Sequence, residues 1–475
     1  MLHLPGRRAA DSRGLSRRRL LQGAGAAASL TLAASTPFFR TGAGAATLRQ
    51  TPTTQDISGT NLSLLLWSHF VPRHDEWFDQ FVAEWGEANG VTTQVDHVNT
   101  ADIPAAIAAE IAAGQGHDIV EHIASLAQYE KSVLDLTDLV EEASARHGEQ
   151  LPMAKRNSYN PTTNVYYGFC HGFAPDPGNY RRSLWEGVEM ADGPASWDDL
   201  LAGGARIKAD QGVQMGLGMS NEIDSRMAAQ TLLWAYGAAV QDADENVSIN
   251  SPETVAAVTY MADLFKQTMT PEVFGWNAAS NNQLLVAGRA SYILNSISAY
   301  RTAQKDQPEV GADIFFRTPL VGPAGEEAAL AHGHAVFISM IPNYAKNPDT
   351  AREFLLHLVN NYAQASEQSE LYNFPAWPET VPDLESWLDD DPYGSEPADK
   401  LNVLATANDW TTNLGHPGPA NAAMGEIFAL PILPNMMARA AQGQQTPEES
   451  VAEAEQEINA IFEHWRAEGL IGGGA

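Results

Sequence analysis

"NLSLLLWSH" (residues 61–69), "VTTQVDHV" (91–98) and "HDIVEHI" (117–123) are three strand-like runs, and what separates them decides the fold. The first is a compact apolar run bounded by polar residues, the pattern of a buried strand; the second alternates. Between them Trp77, Phe78, Phe81, Val82 and Trp85 fall at helical spacing, and Gly90 stands where a helix C-cap belongs. "ADIPAAIAAEIAAG" (101–114) then reads as an Ala-rich helix before the third run. Strand, helix, strand, helix, strand implies parallel pairing through right-handed crossovers.

A second α/β region follows the aromatic stretch "NVYYGFCHGF" (164–173). Ser196 with Asp199 three residues on makes a capping box, and Ser251-Pro252 and Asn347-Pro348 each set a cap residue before a proline suited to a first helical turn. Thr446-Pro447-Glu448-Glu449 combines both devices. The helix after it lines up Val451, Ala454, Ile458, Ile461, Phe462 and Trp465 on one face. "LDDDPYGSEPADK" (388–400), the most acidic and irregular segment, is expected as a surface loop. A chain of 475 residues exceeds one compact core, so two lobes are expected.

The formal net charge of −31 makes nucleic acid an improbable partner and disfavours anionic lipid surfaces. Cys170 is the only cysteine, which excludes an internal disulfide and any multi-cysteine zinc or iron–sulfur site. "SRRRLL" (16–21), a mild apolar run and Ala43-Gly44-Ala45 follow one another as a twin-arginine-type signal peptide does, so residues 1–45 are expected to be an export leader and 46–55 a flexible start. No cysteine stands directly after the cut site, so the exported chain is expected to be soluble in the periplasm without a lipid anchor.

"GQGHDIVEHIASLAQYEKSVLDLTDLVEE" (114–142), "SWDDLLAGGARIK" (196–208), "INSPETVAAVTYMADLFKQ" (249–267), "NNQLLVAGRASYILNS" (281–296), "HGHAVFISMIPNYAKNPDTAREFLLHLV" (332–359) and "TPEESVAEAEQEINAIF" (446–462) stand in an order of their own. Together they resemble the extracellular solute-binding proteins of ABC importers, in particular the large carbohydrate-binding family. Asn179-Tyr180-Arg181 only approximates that family's Tyr-Asn-Lys pattern before the second lobe. The resemblance implies an α/β periplasmic-binding-protein fold of type II kind, with two lobes closing about a hinge that the chain crosses more than once. It places the first lobe at 56–166 plus 318–370 and the second at 167–317 plus 371–475. It also implies a monomer that captures a monosaccharide, oligosaccharide or polyol and delivers it to permease subunits, with no cofactor, no metal and no catalytic residue.

A sugar site needs aromatic planes for C–H faces and paired donors and acceptors for hydroxyls. Trp67 ends the first strand, where parallel sheets place ligands, and His69 follows on the same loop. His122, at a position that faces the cleft in the family, shares its loop with Ser125. Asn295, Ser296 and Ser298 follow the strand "SYIL". Trp234 is balanced between helix core and cleft wall, Trp377 sits in the proline-held "NFPAWPET", and Trp410 lies in a comparable polar segment. His332 and His334 flank Gly333, and strand alternation would turn both imidazoles to one side. A metal site would need His69, His74, His122 or carboxylates to converge on that pair, so a hydrogen-bonding cleft lip is the expectation.

Three rivals stand beside this reading. A secreted two-carboxylate hydrolase is one, although no Gly-x-Ser-x-Gly elbow or His-Glu-x-x-His motif occurs. A redox enzyme exported with its cofactor lacks haem and dinucleotide signatures. A binder of polyamines, organic acids or polyol phosphates would share the fold.

Overall fold

The structure is a computed structural model that describes residues 56–473. The expected leader over 1–45 and flexible start over 46–55 lie outside the described residues. In chain order the strands are β1 (Asn61–Trp67), β2 (Thr92–Val98), β3 (Ile119–His122), β4 (Tyr159–Asn160), β5 (Val165–Tyr166), β6 (Phe169–Pro175) and β7 (Gly178–Arg181). There follow β8 (Gln214–Gly216), β9 (Ala290–Leu294), β10 (Ile314–Arg317), β11 (Ala331–Met340), β12 (Phe374–Pro375) and β13 (Thr411–Thr412).

One sheet runs β12-β6-β11-β3-β1-β2, with β13 beside β11; a second runs β10-β7-β9-β8. Each carries a lobe, so the two-lobed α/β architecture expected from the sequence is present. β1 pairs in parallel with β2 and β3 through the helices Pro72–Asn89 and Ile103–Ala113. From Leu64 to Trp67 β1 is an unbroken buried apolar run, as suits a parallel strand covered on both faces. The first helix buries Phe78, Phe81, Val82 and Trp85 and ends at Gly90, whose φ of 67° is the left-handed turn glycine adopts without strain.

The local signals define the helix ends. Ser196 and Asp199 form the reciprocal capping box that opens Trp197–Gln211, and Thr446 with Glu449 does the same for Pro447–Ala467. Ser251 accepts the Thr254 N–H at the start of Pro252–Thr268. Asn347 precedes the helix Pro348–Asn360, but its side chain makes no cap bond. No helix among the described residues is long and apolar enough to cross a membrane.

Sheet membership corrects the expected lobe boundaries. β6 falls after residue 167, yet it pairs antiparallel with β11 in the first sheet, and β12 and β13 from the stretch after 371 join it there. The cause is β11, ten buried residues with two edges to satisfy: β3 takes one and β6 the other. The chain therefore leaves the first sheet at Pro175-Asp176-Pro177, and it returns between the end of β10 at Arg317 and the start of β11 at Ala331.

The segment 388–400 is also corrected from surface loop to partly internal. Asp391 is buried against Arg301, with nitrogen–oxygen distances of 2.7 and 3.0 Å. Lys400 lies 5.1 Å from the Tyr300 ring centre and 4.3 Å from that of Phe315. Burial pushes its ammonium down to about 8.

Candidate functional site

Side chains from the carboxyl ends of β1, β3 and β9 and from the amino end of β11 meet between the lobes, where open α/β sheets hold ligands. The helix Ile223–Ala235, which follows β8, lies across this junction. Glu222 caps it by accepting the N–H groups of Asp224 and Ser225. The helix turns Asp224 and Gln230 toward β11, and both histidines of the His-Gly-His stretch answer it. His332 Nε2 is 2.6 Å from Gln230 Oε1. His334 Nδ1 is 3.1 Å from Asp176, in the crossing segment, and its Nε2 is 4.0 Å from Asp224.

The surroundings push the two imidazoles in opposite directions. Burial holds His332 down to about 3, with His334 adding repulsion. Burial also opposes charge on His334, but Asp176, then Asp224 and Glu222, outweigh it and raise its pKa. Burial, and then Glu222, push the Asp224 carboxyl well above its usual range.

From β9 come the hydroxyl and amide groups. Asn295 Nδ2 donates to Asp224 at 3.3 Å, Ser298 donates to Asn295 at 3.4 Å, and Ser296 to Ser298 at 3.5 Å. Good hydroxyl bonds run near 2.7–2.8 Å. These groups are loosely tied to one another. From β1, the His69 ring stands 4.9 Å from that of Tyr372, and Phe70 stands 6.2 Å from His334. His69 Nε2 is held 2.9 Å from Asn373, and burial, then His74, push its pKa well down. His122 accepts the Ala124 N–H at 3.0 Å; burial sets its pKa at about 4, and Arg226 adds to the fall.

A small hollow adjoins this cluster, lined by Ser125, His332, His334, Thr412 and Phe428. The Ser125 hydroxyl is engaged by Tyr167 at 2.7 Å and by the Ala420 carbonyl at 3.0 Å. Trp234 packs 4.8 Å from His332 and forms part of the wall of a wider groove of about 1000 Å³ with Gln241, Glu327 and His416.

Of the expected site residues, the structure thus brings together His69, Asn295, Ser296, Ser298, His332 and His334, with Ser125 and Trp234 at the margins and His122 bonded back to Ala124 of its own loop. Trp67 packs beside the site's β1 side, its ring 4.9 Å from His69 and 5.3 Å from Phe70, while it donates to Glu121 at 3.2 Å and stacks on Phe337 at 5.9 Å. Two tryptophans lie elsewhere. Trp377 is fully buried, donating to Ser144 at 3.1 Å beside Phe169. Trp410 is buried against its own helix, donating to Thr406 at 3.2 Å. No group of three or more His, Cys, Asp or Glu among the described residues is arranged to hold a metal ion.

Sequence reasoning missed Asp176, Asp224, Gln230 and Tyr372. Asp176 carried a usable signal, an aspartate between two prolines. Asp224 and Gln230 could be found only through the histidines they meet.

Residues 80–393 match the family model described as bacterial extracellular solute-binding protein. Among curated proteins, a putative binding protein of Brucella abortus (strain 2308) is 23% identical over 133 residues, 28% of this chain. The matched stretch spans 32% of that relative's length. Among solved structures, a putative oligosaccharide periplasmic-binding protein from Synechococcus sp. MITs9220, in complex with zinc, superposes with a TM-score of 0.72 at 18% identity. It covers 85% of this chain and 99% of its own. Maltose-bound MalE3 of T. maritima superposes with a TM-score of 0.70 at 17% identity, covering 85% and 100%. Both share the two-lobed fold.

Proposed function

Since the chain belongs to the bacterial extracellular solute-binding proteins, we propose that it captures a carbohydrate for an ABC importer and hands it to the membrane permease. The observation that carries this reading is the loosely bonded Asn295–Ser296–Ser298 group facing His69, His334 and Tyr372 across the lobes. Neutral donors and acceptors beside aromatic rings suit the hydroxyls and C–H faces of a sugar or polyol. The sugar-binding solved relatives support it. Ligand favours the closed lobes by binding them more tightly than the open ones, and no bond is made or broken. In this reading the chain acts as a monomer in the periplasm, reached by twin-arginine export of residues 1–45, with no cofactor.

A thermal-shift panel tests it, with mono- and oligosaccharides and polyols set against polyamines, organic acids and divalent metals. Ligand that binds only the folded state raises the midpoint by mass action. A selective rise with one sugar or polyol, recovered chemically intact, is expected. A rise confined to a charged solute would replace the carbohydrate reading, and turnover of the sugar would replace binding with hydrolysis.

A further inference from the structure

We propose that Tyr372, outside the set of residues expected from the sequence, contributes a ligand-reading hydroxyl in the interlobe site and helps set specificity there. The assignment rests on the solute-capture reading above.

Three rings fix the Tyr372 side chain. His69 meets it edge-on at 4.9 Å, Phe70 lies at 6.4 Å and His334 at 6.5 Å. Its hydroxyl is buried and makes no hydrogen bond to any described residue. Ser296 is its near polar neighbour and favours the phenolate, though the two make no hydrogen bond of good geometry, and Asp224 and Asp176 act on it by charge. A buried hydroxyl without a partner is costly, and folds keep one where something else supplies the partner. Tyr292 and Tyr362 also carry unpartnered hydroxyls, but theirs lie against the glycine backbone of a strand, at Gly178 and Gly172. Around Tyr372 stand groups from both lobes.

The backbone before it gives an independent sign. Glu370 and Leu371 are consecutive non-glycine residues with φ of 56° and 66°, in the left-handed region such residues avoid. The strained turn is held from outside. Arg301 Nε donates to the Glu370 carbonyl at 2.9 Å, Lys305 pairs with the Glu370 carboxylate at 2.8 Å, and the Leu371 N–H bonds the Ser366 carbonyl at 2.9 Å. Arg301 and Lys305 belong to the helix Ser298–Asp306, which starts inside the site. Strain held in this way by the surroundings clusters at ligand clamps. Here it holds Tyr372 beside Ser296. Burial keeps the phenol protonated, so it can both donate to and accept from a ligand hydroxyl.

The test is Tyr372→Phe, which keeps the ring and removes only the hydroxyl. Glucose, galactose, maltose, trehalose, cellobiose and ribitol serve as probes, and Kd is measured by calorimetry for whichever probe raises the wild-type midpoint. The expected result is an unliganded midpoint equal to or above wild type, because no protein bond is lost, with Kd weakened about tenfold. A lowered unliganded midpoint with unchanged Kd would show a structural bond to Ser296 and overturn the assignment. Unchanged midpoint with unchanged Kd would overturn it too, leaving solute capture standing. No midpoint rise with any probe would sink carbohydrate capture, and the assignment with it.

Discussion

His334 on β11 and Asp224 on the facing lobe's helix approach to 4.0 Å, while the other nitrogen of the same imidazole sits 3.1 Å from Asp176 in the crossing segment. One side chain therefore touches both the hinge and the opposite lobe. Burial opposes its charge, but Asp176, Asp224 and Glu222 prevail and its pKa is raised above the ordinary 6.5. A raised folded-state value stabilises fully below pH 6.5 and loses that contribution as pH rises through the folded value. The unliganded thermal midpoint should fall as pH rises above 6.5, and His334→Gln should flatten that fall. A profile that is the same in both proteins would show that the imidazole is uncharged.

The acid limb has a different origin. Burial depresses His332 to about 3 and His122 to about 4, so the unfolded chain takes up their protons first. Stability should drop below pH 6.5, by about 1.4 kcal/mol per pH unit for each histidine until its folded value is reached. Urea unfolding at pH 6.5 and 4.5 measures this, and His332→Asn should recover part of the loss.

Trp377 and Asn295 should separate cleanly. Trp377→Ala removes a fully buried indole from the first lobe and should cost about 3–5 kcal/mol in urea unfolding, with ligand Kd unchanged. Asn295→Ala should weaken Kd about tenfold and move stability much less, since its bond to Asp224 is a long 3.3 Å. The opposite pattern would move the site toward the proline-held loop.

Arg301→Ala strands the Asp391 carboxylate in the interior and should destabilise by about 3–5 kcal/mol. Adding Asp391→Leu should restore much of that, because the cost lies in the unpaired charge. A double variant no better than the single one would show that Arg301 acts mainly through its bond to the Glu370 carbonyl.

What could be read from the sequence was local chemistry. Gly90, Ser196 with Asp199 and Thr446 with Glu449 mark helix ends because the groups they satisfy lie within a few residues. The common orientation of His332 and His334 follows from strand alternation, and both do meet one helix. Long-range pairing was not readable. β6 needs β11 far along the chain, and Asp391 looks solvated until Arg301 is placed beside it. The proline-held setting of Trp377 reads the same whether the indole faces out or in. The left-handed pair Glu370-Leu371 carries no glycine to announce the turn that presents Tyr372.

The weaving of the sheets bears on the order in which the molecule can assemble during synthesis. The second sheet draws all its strands from the continuous stretch 178–317 and can form as soon as that stretch has left the ribosome. The first sheet begins the chain but lacks its central β11 until residue 340, and β13 until residue 412. Until then β3 and β6 present open edges, the kind of surface that pairs with the wrong partner. The sheet begun first is thus the sheet completed last, and its long-separation contacts should govern the folding rate.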